Sequence, residues 1–424
     1  MPVRVFPVAH LPGALFALLQ LVFVASALGG DWPQVLGPER NGKAIGEELV
    51  LPWPADGPKT VWQTSVGSGF ASVAIAGTDA IVFHRRGKQL LIDCFDPATG
   101  KQHWQAALPT KYVSSISTDD GPRCTPVIQQ TAVYVLGPGG ELAALERGTG
   151  KLIWSRDLNS EFRAPEGYFG FGSSPLVEGD KLLINVGGAP GAGIVAFSVA
   201  DGKVIWKATD EQASYSSPVA ATIAGVRHAI FVTRLNVVSV DPPTGTVKFR
   251  FPFGARGPTV NAATPLVLDD HLFVSASYGV GAQWSKIAAG GATKLWANDD
   301  VMSSQYTTCV EHEGVLYGID GRQDVGRARL RAFDPKTGNI RWTEEGFGTG
   351  GLILVGDKLL IMRTDGRLVV AAATAKKFEP LAEAQLFDDT AQALPALANG
   401  LLFVRDTQTL KCVRVGKPNA TSSR

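Results

Sequence analysis

The chain has 424 residues, and its 40 Lys and Arg nearly balance its 39 Asp and Glu. That balance removes the electrostatic reason to expect a nucleic-acid partner, which calls for a clear basic excess. Apolar residues at 45% allow a large core, and 48 glycines favour many tight turns over long helices.

The N-terminus reads as an address. Arg4 is the only Lys, Arg, Asp or Glu before Asp31, Leu11 to Val24 is a continuous apolar run, and Ala25-Ser26-Ala27 follows in small-x-small form. The pattern predicts a secretory signal over residues 1–27, hence an exported protein of the periplasm or cell envelope. The run is short for a bilayer span, and no later segment is apolar for long enough, so no transmembrane segment is expected after cleavage. No cysteine lies near the cut site to carry a lipid. Residues 28–58 read as an N-terminal extension.

From residue 59 to 415 the chain repeats itself. FDPATGKQHW begins at Phe95, LERGTGKLIW at Leu145, FSVADGKVIW at Phe197, VDPPTGTVKF at Val240 and FDPKTGNIRW at Phe333. The closing aromatic falls at Trp62, Trp104, Trp154, Trp206, Phe249, Trp296 and Trp342, at intervals of 42 to 52 residues. A period of that length marks a repeat architecture. Within each period the apolar runs are short and alternating, as in KLLINV from Lys181 and HLFVSAS from His271, and Gly, Asp and Asn separate them. Each unit has room for four strands. The D-x-x-T-G segment then forms the third turn, where glycine takes a positive φ, and the aromatic lies on the outermost strand between neighbouring units.

Four-stranded units repeated radially make a β-propeller. A second marker counts the blades: a hydroxyl-rich pair that opens the innermost strand, at Cys124-Thr125, Ser173-Ser174, Ser216-Ser217, Ala263-Thr264 and Thr307-Thr308, with weaker equivalents around Ala71, Leu352 and Ala393. The reading is an all-β, eight-bladed propeller of four-stranded antiparallel blades. Its last unit runs out of chain after three strands, so the N-terminal strand around Trp62 must close it. Blade 5 carries a distorted motif and blade 7 a degenerate one, and residues 416–424 read as a disordered tail.

The motif and its period resemble the repeat of quinoprotein-like (PQQ-like) β-propellers. DWPQVLGPERNGKA, YFGFGSSPLVEGDKLLI and NAATPLVLDDHLFVSASYG look like segments of bacterial secreted proteins of that repeat family. The superfamily includes pyrroloquinoline-quinone (PQQ) dehydrogenases and the outer-membrane assembly protein BamB. The resemblance implies one of two functions. One is a non-catalytic scaffold that binds an envelope protein or peptide; the other is a PQQ- and Ca²⁺-dependent dehydrogenase of an alcohol or sugar. The adjacent cysteine pair of quinoprotein alcohol dehydrogenases is missing, as is a C-x-x-C-H haem site. The scaffold reading is therefore preferred: a monomer with no cofactor.

Nothing in the spacing of the six histidines and four cysteines forms a metal signature, and no nucleophile elbow or phosphate loop is present. No catalytic residue and no metal site is assigned. The four cysteines are expected as free thiols, since equivalent positions in adjacent blades lie too far apart to bridge. The binding candidates are instead the long loops leading into the inner strands on one face. They carry Arg123, Arg163, Tyr168, Phe169, Arg256 and Asn261, with Tyr278 nearby, and arginine among aromatics suits an anionic or peptide ligand. The competing role for Arg123 and Asn261 is to tie loops to exposed strand ends. A carbohydrate reading rests on Tyr168 and Trp284 as exposed aromatics.

Overall fold

The computed structural model describes Met1 and residues 30–418; the secretory signal expected over 1–27 and the end of the tail (419–424) fall outside the described residues, apart from Met1. The strands form eight separate sheets, each built on a four-stranded antiparallel blade; the sheet of blade 7 gains a fifth, parallel strand from the N-terminal segment. Blade 1, for example, is Ala74–Ala76, Asp79–Arg86, Gln89–Phe95 and Gln102–Pro109, running from the channel outward. The expected closure is present. Thr60–Ser65 completes blade 8 as its outer strand, with Trp62 opposite Cys412.

The burial pattern follows from wedging each sheet between two others. Ala132–Leu136 in the middle of blade 2 is buried at every residue, because both its faces meet a neighbouring blade. Ile81, Phe83, Leu90 and Ile92 of blade 1 pack against Val133, Val135, Ala143 and Leu145 of blade 2 in one continuous cluster. The outermost strands alternate instead, as in Leu152–Asp157, since one side faces solvent. A single short helix, Leu158–Phe162, interrupts the β content among the described residues; Asp157 caps it by accepting from the Ser160 N–H.

The repeated decapeptide locks blade to blade. Its tryptophan donates its indole N–H to a carbonyl in the third turn of the next blade: Trp62 to Pro97, Trp104 to Arg147, Trp154 to Val199, Trp206 to Pro242, Trp296 to Pro335 and Trp342 to Thr374, at 2.7–3.0 Å. In four of the six the ring lies directly on that turn's glycine, at Gly100, Gly150, Gly202 and Gly245, whereas the turn that accepts from Trp342 has none. Gly150 has φ +71, and a Cβ there would sit 2.4 Å from Trp104; Gly202 has φ +70 and meets Trp154 in the same way. Glycine is thus required twice over, for the turn and for the ring.

A second belt runs around the channel. The Thr125 N–H donates to Ser174 Oγ at 2.9 Å, the Ser174 N–H to Ser217 Oγ at 3.0 Å and the Thr264 N–H to Thr308 Oγ1 at 2.9 Å. The hydroxyl pairs therefore tie neighbouring inner strands together.

The N-terminal extension crosses the channel rather than lying outside it. Trp32 bridges Ile75 of blade 1, and the Ile128 N–H of blade 2 reaches the Pro33 carbonyl. Arg40, 2% exposed, donates to the carbonyls of Pro175 in blade 3 and Pro218 in blade 4. Lys43–Ala44 pairs in parallel with the inner strand of blade 7, and Lys43 reaches Glu311 of blade 6. Glu47 accepts from the Asn399 and Gly400 N–H groups of blade 8, and Leu49 bridges Gly416. The segment is a strap across one end of the ring.

Trp154 is 8% exposed and belongs to the cluster between blades 2 and 3. Trp154→Ala is expected to destabilise the fold by about 3–5 kcal/mol in urea denaturation, the range for a large buried aromatic. A loss below about 1 kcal/mol would show that the interlock carries no stability.

Candidate functional site

With one end strapped, the channel is a cup of about 640 Å³ that opens on the face of the loops leading into the inner strands. Its wall is the hydroxyl belt, Ser72, Thr125, Ser174, Ser217, Thr264 and Thr308, and Val35 of the strap also lines it. Five aromatic rings from different loops stand around the mouth: Phe70, Phe169, Tyr215, Tyr278 and Tyr306. Burial pushes Tyr306 up to about 12, so its hydroxyl remains a donor at neutral pH.

Arg123 lies between two of these rings, 5.4 Å from the centroids of both Phe70 and Phe169. Its guanidinium already donates to the carbonyls of Gly121 and Asp119, at 3.1 Å each. It is at once a tie and a lining group. Phe169 packs edge-on against Tyr215, whose hydroxyl accepts from the Phe169 N–H. Tyr278 has φ +69, a left-handed conformation that costs a residue with a Cβ about 1–2 kcal/mol. Arg322 lies 4.2 Å over its ring. The hairpin holds an unfavourable backbone and points a tyrosine at the cup.

The other four candidates stand apart. Asn261 is 1% exposed, and its side-chain amide donates to the Thr233 carbonyl at 2.8 Å while its backbone carbonyl accepts from the Tyr215 and Ser216 N–H groups. Its contacts are those of a loop tie. Arg163 is the left-handed cap of the short helix, at φ +50, and does not line the cup; Tyr168 and Arg256 are exposed on their loops outside it. Trp284 is 2% exposed and stacked on His271, which corrects its reading as a surface aromatic for sugar. Sequence reasoning missed Phe70, Tyr215 and Tyr306. Each falls within two residues of a hydroxyl pair, and that adjacency was the available signal.

The charge in the cup is small and spoken for. Asp119 accepts from the Gly69 and Gly121 N–H groups, one on each oxygen, and Asp389 from Thr407 and the Thr390 N–H. Those bonds, the Thr407 hydroxyl first, hold Asp389 below the usual carboxylate range. A larger depression of about 920 Å³ lies beside Tyr278 between blades 5 and 6, where Arg322 and Arg329 are paired with Asp324 and Asp320. All four cysteines are free and buried, and burial pushes each thiol up, Cys309 and Cys412 to about 12. Away from the cup, Asp79, Cys94 and His103 bring ligand atoms within 4.8 Å of one another.

The donor set of the cup does not fit PQQ. That tricarboxylate with Ca²⁺ needs several cations around it; here one arginine stands against two carboxylates, each already accepting N–H or O–H donors.

Comparison with known proteins gives the same architecture. The sequence model of a family described as outer membrane protein assembly factor BamB matches residues 88–344. The chain is 26% identical over 302 residues to outer membrane protein assembly factor BamB of Salmonella typhimurium, covering 67% of this chain and 71% of that protein. BamB of Moraxella catarrhalis superposes with a TM-score of 0.62 at 16% identity, over 85% of this chain and 98% of that one. Quinohemoprotein alcohol dehydrogenase from Comamonas testosteroni superposes with a TM-score of 0.66 at 14% identity, over 93% and 82%. The two superpositions establish the propeller alone.

The placements of Asn261 and Tyr278 separate in denaturation experiments. Asn261→Ala should cost about 1–3 kcal/mol, because a buried carbonyl loses its donor. Tyr278→Asn should change stability by less than about 1 kcal/mol, since relief of the left-handed backbone offsets the lost ring contact. The reverse order would overturn both placements.

Proposed function

The chain belongs to the family of outer membrane protein assembly factor BamB, and on that premise we propose that it is an exported, non-catalytic, monomeric scaffold that holds a segment of a protein partner in the cell envelope. The observation that carries this reading is the aromatic-rimmed blind cup. Rigid aromatic rings bury large areas at little entropic cost, which is how a protein surface grips an apolar or aromatic side chain. Below them, the hydroxyls of the belt and the amide of Gln392 present donors and acceptors suited to a peptide backbone. With two carboxylates, Asp119 and Asp389, against one guanidinium, the cup disfavours a free anion and favours a largely neutral segment. No helix among the described residues is long and apolar enough to cross a membrane.

The test is photo-crosslinking in cells, with a photoreactive amino acid at position 278 in the mouth and, as control, at Lys376 in the third turn of blade 7, on the opposite face. Adducts at position 278 to an outer-membrane protein or one of its assembly components, absent at 376, are expected. Equal labelling at both positions, or none at 278, would overturn the reading.

A further inference from the structure

The strand register of blade 1 gathers three side chains far from the cup. Asp79 begins the second strand, Cys94 is the last but one residue of the third and His103 the second residue of the fourth. Asp79 Oδ1 lies 3.5 Å from His103 Nδ1 and 3.6 Å from Cys94 Sγ, and the sulfur lies 3.9 Å from the same nitrogen. Tetrahedral zinc, with bonds of about 2.1 Å to O and N and about 2.3 Å to S, sets the corresponding edges at about 3.4, 3.6 and 3.6 Å. The triangle is already the size of three coordination positions.

We propose that Asp79, Cys94 and His103 bind one ion of the zinc class, with the fourth position open to solvent on the side where His103 is one-third exposed. Thiolate, imidazole and carboxylate together select a borderline-soft divalent ion over calcium or magnesium, which prefer all-oxygen sites. Binding replaces the S–H bond of Cys94 with a sulfur–metal bond and releases the proton to solvent.

Two further observations support the site. Arg147 of blade 2 donates to Asp79 Oδ2 at 2.6 Å and to the Ala76 carbonyl, which leaves Oδ1 turned toward Cys94 and His103. An outer partner of this kind fixes a ligand's orientation. The repeat supplies the second argument as an internal control. By register, the positions of Asp79, Cys94 and His103 hold Ala132, Ala144 and Ile153 in blade 2 and Lys181, Ala196 and Ile205 in blade 3. Those blades form the same interlock, so the architecture does not require the polar trio.

Titration of the reduced, purified chain with Co²⁺, a spectroscopic stand-in for Zn²⁺, tests this directly. One equivalent should bind with tetrahedral visible bands and a thiolate-to-cobalt charge-transfer band, and Zn²⁺ should displace it. Cys94→Ala and His103→Ile install the residues of neighbouring blades and are expected to fold. The first should abolish the charge-transfer band, and the second should weaken binding by at least about tenfold, the scale on which even outer partners act. Zn²⁺ should also raise the melting temperature of the native chain but not of Cys94→Ala. Absence of the thiolate band in the native chain, or its persistence in Cys94→Ala, would show that the trio is only hydrogen-bonded.

Discussion

The ring depends on one contact, a tryptophan of one blade lying on the turn glycine of the next. It couples three demands in ten residues: a left-handed turn, a flat surface with no Cβ and a carbonyl placed to accept the indole N–H. Opposite the ring the third strand carries something small in six blades, Cys94, Ala144, Ala196, Ser239, Ala332 and Cys412 pairing with the aromatic there, while blade 5 sets Trp284 opposite Trp296. Two of the four cysteines are thereby explained as small residues. One of these two then has neighbours that give a sulfur further chemistry.

The interlock is missing at two seams, and at the one between blades 4 and 5 Phe249 has no indole N–H to donate. Blade 7 has Ala382 opposite Val370 and no tryptophan to set on blade 8. The strap passes over that seam, pairing Lys43–Ala44 with the inner strand of blade 7 and placing Glu47 on the backbone of blade 8. A carboxylate accepting two N–H bonds in a buried setting is a strong tie, since charge-assisted bonds exceed neutral ones about twofold. The same segment puts Val35 in the lining of the cup. Closure of the ring and formation of the cup are thus two consequences of one stretch of chain.

The blade number and the outer-strand aromatics were legible because the turn and the interlock need specific residues at a fixed period. The closing strand was legible by subtraction, from the three strands left for the last unit. The strap was not: it makes one or two bonds to each blade it crosses, and no periodicity marks such a path. Among the mouth residues, sequence could place Arg123, Phe169 and Asn261 on the right loops but could not say which way each turns. Asn261 turns inward because the carbonyls of Thr233, Arg234 and Phe253 around its amide nitrogen need a donor. The Asp79, Cys94 and His103 trio is invisible to motif reading, since its spacing reflects two hairpins rather than one helix or knuckle.

Closing blade 8 with Thr60–Ser65 joins strands separated by nearly the whole chain, with Trp62 opposite Cys412. Each middle blade can pair its own strands as soon as it is made, but this pairing waits for the last hairpin. Long-range pairing of this kind is slow to form and leaves a strand edge open meanwhile. During synthesis the strand around Trp62 is therefore the first of the ring to appear and the last to be satisfied. A chain of this design needs protection at its beginning until its end arrives, and its folding is timed by the completion of its own sequence.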